Sequence, residues 1–362
     1  MSKIGIDVST LATPNPSGIA RYVHSLLGAM AELDTEDEFF LCYRLSRLRR
    51  YRHFRNANKP NFPLRLFQDG FSPLLARSLD LFHGPDDRIA TVGNVPMVAT
   101  VHDMFSFDYP EFSSAKFRAK KAMYVGDCAR RSKLLIFDSL DSRDRFTARF
   151  PVEPSRLRVI PLGVNHSLVA IDAQEAQARR DKLKLPAEYL LMLGINPRKN
   201  YARVLEAYSL LPKDSPTLVL AGALGSGVDA VHQAIARLDL SGRVIVLGSI
   251  AEQDVGPIYL GASLLVFPSI SEGFGLPVLE AFVCGTPVLT SSTGALPETA
   301  GDAALLVDPL SVEAISEGIL RVLEDSQYAY ELSLKGKARA QLFTWQKTAK
   351  LTLAAYQDAM QG

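Results

Sequence analysis

Apolar positions recur along this chain with two different periods, and the two take turns from one end to the other. From Lys3 to Val8 the side chains of Ile4, Ile6 and Val8 share one face, the alternation that predicts a strand. After a loop of Thr, Pro, Asn and Ser, the residues Ile19, Val23, Leu26, Leu27, Met30 and Leu33 fall at helical spacing. Glu38 to Tyr43, Leu79 to His83, Val95 to Val101, Lys133 to Phe137 and Leu157 to Ile160 read as further strands, and Ser114 to Arg131 as a helix. The second half is more regular. YLLMLGI, TLVLAG, VIVLGS, SLLVFPS, PVLTS and ALLVDP are short unbroken apolar runs separated by loop and helix patterns, as expected for a parallel sheet covered on both faces.

Between the halves, SLVAIDAQEAQARRDKLKLP is polar, which puts a domain boundary within Asn165 to Leu185. A chain of 362 residues exceeds the usual size of a single core, so an α/β protein of two domains follows. Composition narrows the functional classes. With 47% hydrophobic residues, 22% charged residues and a net charge of +1, nothing draws the whole molecule toward nucleic acid. Cys42, Cys128 and Cys284 lie far apart in apolar surroundings, which suits buried thiols in a reducing compartment. No Cys/His spacing suggests a metal. The start, MSKIGIDVST, enters a strand with no apolar leader, and no stretch approaches the roughly 20 apolar residues that span a bilayer. The expected location is cytoplasmic. One local exception stands out: Arg44 to Lys59 holds seven Lys or Arg residues and no acid, with Leu45, Leu48, Tyr51 and Phe54 interleaved. This fits either an anionic membrane surface, reached peripherally, or a solvated helix face. Lys116, Arg118, Lys120, Lys121, Arg130 and Arg131 make a second basic face.

The chemistry-bearing residues gather at strand ends. Leu264 to Phe267 breaks at Pro268 into a loop with Glu272, Gly273 and Gly275, and a helix begins at about Pro277. Unpaired amides at such a helix start form a seat for phosphate. Glu280 stands about one turn inside that helix, eight positions after Glu272. GINPRKN sets Arg198 and Lys199 behind another strand, where a guanidinium and an ammonium can clamp a diphosphate. His102 and Asp103 follow Val95 to Val101, and Gly18 follows the first strand, both on the carboxyl side where ligands enter doubly wound sheets. Alone, each of these residues has an ordinary structural explanation as well.

Taken as strings, EGFGLPVLE followed by A-x-x-x-G-T-P-V resembles the E-x7-E element of the retaining glycosyltransferases of family 4, which share the GT-B fold. PSGIARY is similar to that family's glycine-rich first loop, with Ala20 where a glycine is common. TVHD followed by PEF is similar to its acceptor-side element, and PLGVN to its hinge-side element. The resemblance implies two Rossmann-like domains facing across a cleft. Residues 1–167 would form the acceptor side, 168–344 would bind the donor, and a last helix over 345–362 would cross back to the first domain. It implies that Arg198 and Lys199 anchor a pyrophosphate. Glu272, with Gly273 and the amides of Phe274, Gly275 and Leu276, would hold the sugar, Glu280 the ribose, and backbone groups at Ile250 the base. Gly18 would approach the donor, His102 would hydrogen-bond the transferred sugar, and Asp103 would lie on the acceptor side. No metal, cofactor or protein nucleophile is implied.

The expected activity is therefore retaining transfer of a sugar to a glycan acceptor, lipid-linked and belonging to a cell-surface polysaccharide. GDP-mannose is the first choice of donor, on the likeness of the Gly18 and His102 regions to mannosyltransferases of polysaccharide assembly, and a UDP-sugar is the alternative. Two other classes compete. A nicotinamide dehydrogenase would also have Rossmann domains, but its G-x-G-x-x-G with a following acid is missing after the first strand. A two-lobed sugar-binding protein without chemistry would share the plan.

Overall fold

The first strand, β1 (Lys3–Asp7), is buried on both faces from Ile4 onward, although its apolar residues alternate. The second face is closed by Gly5, where an added Cβ would come within 2.6 Å of Leu79 Cδ1, and by Asp7, which is held in hydrogen bonds. The computed structural model describes residues 1–12, 18–47, 49, 62–68, 78–90, 92–222 and 228–361. They form two units, Met1–Gly163 with Thr344–Gly362, and Val164–Phe343.

In the first unit, β1 is joined by β2 (Glu38–Arg44), β3 (Leu64–Phe67), β4 (Leu81–Gly84), β5 (Met97–Val101), β6 (Leu134–Phe137) and β7 (Leu157–Val159). All pairs are parallel, in the order β3-β2-β1-β4-β5-β6-β7. The order reverses direction between β1 and β4, so the crevice beyond their carboxyl ends is the natural ligand side. Helices α1 (Gly18–Glu32) and α2 (Ala115–Arg131) belong to this unit. The chain returns to it through the last helix, Trp345–Gln361. Tyr356 on that helix bonds His83 Nδ1 at 2.6 Å, while His83 Nε2 meets Thr100 Oγ1 at 2.8 Å. Burial, and then the nearby charge of His102, push the His83 pKa down to about 3, so the ring is neutral in the fold. Unfolding frees it to titrate near 6.5. A depressed folded pKa means that this contribution is intact above the unfolded value and is lost as pH falls toward 3. Urea unfolding of the wild type should therefore weaken between pH 6.5 and 4.5 more steeply than that of His83→Asn, by on the order of 1 to 2 kcal/mol.

The Arg44–Lys59 segment begins inside this unit rather than on a surface. Arg44 closes β2, is 6% exposed, and donates from Nε to Asp7 Oδ2 at 2.8 Å. Residues 48 and 50–61 lie outside the described residues, and the expected membrane contact falls largely on them. On α2, Lys121 is also withdrawn from solvent, bonded to Asp103 at 3.0 Å and Asp87 at 3.4 Å. Among the described residues no helix is long and apolar enough to cross a membrane.

The second unit carries β8 (Tyr189–Leu193), β9 (Thr217–Ala221), β10 (Val244–Gly248), β11 (Leu264–Phe267), β12 (Val288–Ser291) and β13 (Leu305–Val307). They too are parallel, in the order β10-β9-β8-β11-β12-β13. β11 shows why the apolar runs read so clearly: Leu264, Leu265, Val266 and Phe267 are all fully buried, because helices cover both faces of a parallel sheet. Here the direction reverses between β8 and β11. Helix α3 (Tyr201–Ser209) follows β8, and α4 (Leu276–Cys284) follows β11.

Candidate active site

The loops that leave β8 and β11 converge at the reversal point of the second sheet. Residues Pro197–Lys199 make one turn before α3, with the Asn196 side chain accepting from the Lys199 amide. Asn200 then takes a left-handed conformation, φ 67°, and its Nδ2 donates to Pro268 O at 3.0 Å and Pro309 O at 2.6 Å. This stitches the first loop to the second. Ile270 N donates to Arg198 O at 2.9 Å, and Arg198 Nε donates to Ser271 O at 2.7 Å. Glu272 completes the junction: its Oε1 accepts from Lys199 Nζ at 2.7 Å and its Oε2 from Arg198 Nη2 at 3.3 Å. The Glu272 side chain is only 9% exposed. Burial pushes its carboxyl up, and Lys199 and Arg198 outweigh burial, holding it below the usual carboxylate range.

The local backbone explains how Lys199 reaches this position. Gly194 (φ 87°) closes β8, and an added Cβ there would lie 2.8 Å from Lys199 Cγ. Gly222 (φ 133°), at the end of β9, sits against the Gly194 backbone, with an added Cβ at 3.0 Å from it. The lysine stem thus crosses a floor without side chains, and its ammonium rests 4.6 Å from the centre of the Phe267 ring. A buried acid thus pairs with both cations of the Arg198–Lys199 turn.

The remaining donor-side residues surround the start of α4. Gly275, φ 107°, precedes its first turn, and no side chain caps the helix. A Cβ at Gly275 would fall 2.6 Å from Leu296 Cδ2, so glycine is required there on both counts. The helix opens at Leu276, one residue before the expected Pro277. Gly273 is buried in the same loop. The Phe274 side chain is core, edge-on to Phe343 at 5.8 Å, and only its backbone faces the question of a ligand. Glu280 is half-buried and accepts from Tyr259 OH at 2.8 Å. Ile250 lies just beyond β10, partly exposed.

In the first unit, His102 and Asp103 follow β5 as expected, but every polar group of His102 is engaged within the protein. Its amide donates to Asp87 Oδ1 at 2.8 Å and its carbonyl accepts from Ser142 Oγ at 2.9 Å. Nδ1 meets Asp138 Oδ2 at 2.6 Å, and Nε2 meets Pro85 O at 3.0 Å. The ring as placed has no nitrogen left for a sugar hydroxyl, which departs from the role expected of it. Burial works against charge on the ring, and Asp138, Asp87 and the Pro85 carbonyl outweigh it, holding the pKa up to about 10. Asp103 Oδ1 accepts from Phe105 N at 3.1 Å and Lys121 Nζ at 3.0 Å. Gly18 is the exposed first residue of α1, and an added Cβ would meet nothing within 4 Å. The preceding residues 13–17 lie outside the described residues. Asp87 and Asp138 were not singled out from the sequence. Asp138 directly follows LLIF, and Asp87 sits in GPDD after β4, so position at a strand end was the available signal.

Comparison with known proteins agrees with both halves. Residues 16–168 match the family model described as Glycosyltransferase Family 4, and residues 174–340 that described as glycosyl transferases group 1. O-antigen chain mannosyltransferase B of Escherichia coli is 32% identical over 285 residues, covering 76% of this chain and 74% of that protein. MMP alpha-(1->4)-mannosyltransferase of Mycolicibacterium hassiacum is 28% identical over 288 residues, covering 75% of this chain and 67% of that protein. Among solved structures, HepE of Anabaena in complex with UDP and glucose aligns with a TM-score of 0.75 at 21% identity, over 99% of this chain and 100% of that one. At this identity and coverage the chain belongs to glycosyltransferase family 4, and its two Rossmann-like domains have the GT-B fold.

Proposed function

We propose that this glycosyltransferase moves mannose from GDP-mannose, with retention of anomeric configuration, to a lipid-linked glycan acceptor in the assembly of a cell-surface polysaccharide. The observation that carries the site is the placement of Arg198 and Lys199 beside the start of α4, at the β8/β11 reversal of the second sheet. Negative charge that grows on a departing diphosphate would meet two cations and the uncapped amides there, in surroundings already poor in water. Glu272 and the backbone from Phe274 to Leu276 would take the sugar hydroxyls, Glu280 the ribose, and the loop at Ile250 the base. Neutralisation by these two side chains, rather than by a metal, is part of the proposal. Support for mannose comes from the relatives named above as mannosyltransferases.

Acceptors held at a membrane would bring the enzyme to the inner face as a peripheral protein. The first half of α2 favours this, because Lys116 and Lys120 are exposed beside Phe117 at 53% and Met123 at 58% exposure.

A thermal-shift screen against GDP, UDP, ADP and their sugars tests the donor. A ligand at a hundredfold excess over its Kd stabilises by about 2.7 kcal/mol, several degrees in Tm. GDP-mannose should give the largest shift. A larger shift with a UDP-sugar would overturn the donor, and no shift with any nucleotide would overturn the site.

A further inference from the structure

We propose that a groove at the amino ends of β5, β6 and β7, on the opposite side of the first sheet from its ligand crevice, binds a phosphate-bearing anion. The groove encloses about 720 Å³, within the roughly 300–1,000 Å³ usual for small-molecule sites. Topology assembles it from separate stretches of the first unit. Met97 opens β5, Arg130 to Lys133 lead from the end of α2 into β6, and Arg156 precedes β7, with Met360 of the last helix alongside. Lys133 N donates to Met97 O at 2.7 Å, which fixes two of these stretches side by side. The groove shares no residue with the proposed donor site, which is built from the second unit.

Charge sets the groove apart. Arg130, Arg131, Lys133 and Arg156 line it, and no acid does among the described residues. Behind them one carboxylate, Asp127, accepts from Arg131 Nη1 at 2.7 Å and from Arg130 Nη2 at 3.2 Å. Arg156 Nη2 donates to carbonyls instead, Ala129 O at 2.7 Å and Ser132 O, and the exposed Lys133 ammonium has no partner among the described residues. Three of the four positive charges are therefore uncompensated, in a chain whose net charge is +1. The carboxyl end of α2 offsets only part of this, since a helix terminus is equivalent to roughly half a negative charge. Arg158, two positions after Arg156, shows the ordinary case: it is paired with Asp358 at 2.8 Å. A second observation is independent of charge. Ser132, which lines the groove, is 3% exposed, and its Oγ has no hydrogen-bond partner among the described residues, an expensive arrangement unless something fills it. A carboxylate would neutralise one charge, whereas a phosphate group brings about −1.5 to −2 and several acceptor oxygens for the guanidinium groups, the ammonium and the hydroxyl.

Met97 and Met360 line the groove, so ¹³C-methyl NMR of methionine-labelled protein reports on it locally. The probes are inorganic pyrophosphate and, separately, phosphatidylcholine vesicles with and without phosphatidylglycerol, the latter also followed by sedimentation. The comparison variant is Arg130→Gln/Lys133→Gln. Both side chains are exposed, so its Tm should match the wild type. Pyrophosphate should move both methyls saturably in the wild type, less tightly as salt rises, and at least about tenfold more weakly in the variant. Shifts from pyrophosphate without variant-sensitive vesicle binding would identify the ligand as a soluble phosphate compound, and variant-sensitive binding to the phosphatidylglycerol vesicles would identify it as a lipid headgroup. Methyls that neither probe moves, or responses equal in the wild type and R130Q/K133Q, would overturn the proposal.

Discussion

Arg198→Ala/Lys199→Ala should bind GDP at least about 100-fold more weakly than the wild type and should also be less stable at neutral pH. The first effect removes both charged donors from the proposed diphosphate seat, and hydrogen bonds to charged groups contribute about 1.5 to 3 kcal/mol each. The second effect comes from Glu272. In the wild type its depressed pKa means that the pairing stabilises the fold above the unfolded carboxyl value and is lost as pH falls through the folded one. Without the cations, burial, the largest influence on Glu272, is opposed only by the Ser269 side chain, so the carboxyl moves up and the stabilisation above the unfolded value is lost. Breaking a buried pair by removing one side costs about 3 to 5 kcal/mol. Urea denaturation at pH 7 and pH 5, with calorimetry for GDP, measures both effects. Adding Glu272→Gln to the double variant should restore stability but not binding. If GDP affinity is unchanged in the double variant, these cations do not hold a diphosphate.

Glu272→Gln on its own should separate catalysis from nucleotide affinity. Transfer should fall by about 10²- to 10³-fold, the usual effect of removing one group that meets the reacting sugar or the charge developing beside it. Free GDP should bind at least as tightly as in the wild type, because the carboxylate that occupies Lys199 and Arg198 is gone. The pairing distances of 2.7 and 3.3 Å show that before any donor arrives the two cations are already satisfied. A diphosphate must therefore share them with Glu272. Single-turnover kinetics with parallel calorimetry resolves the two quantities. Wild-type turnover in E272Q would exclude a role at the sugar, and weakened GDP binding would show that Glu272 orders the cations more than it competes with them.

Most strands were readable from the sequence because helices cover both faces of the central strands, whose residues form unbroken apolar runs such as Leu264 to Phe267, whereas β3, with Arg65 and Leu66 exposed, was not read. The loop around Glu272 was readable because Gly275 must adopt a positive φ just before a helix. What the chain alone did not reveal are pairings between distant segments. Lys199 and Glu272 lie 73 positions apart, and nothing local in either says that they meet. Arg44 was grouped with a basic surface run because its neighbours are basic, whereas strand pairing brings it to Asp7, 37 positions away. His102 stood at the expected strand end, but its complete internal hydrogen bonding depends on the loops that follow β4 and β6 and on the helix that carries Ser142.

The glycines at 194 and 222 set a limit on redesign. Because Lys199 lies flat across Gly194, and Gly222 backs that same segment, even an alanine at either position would displace the lysine stem or strain the backbone. Mutant libraries intended to change donor preference should keep both positions fixed and diversify elsewhere, for instance at the partly exposed Ile250.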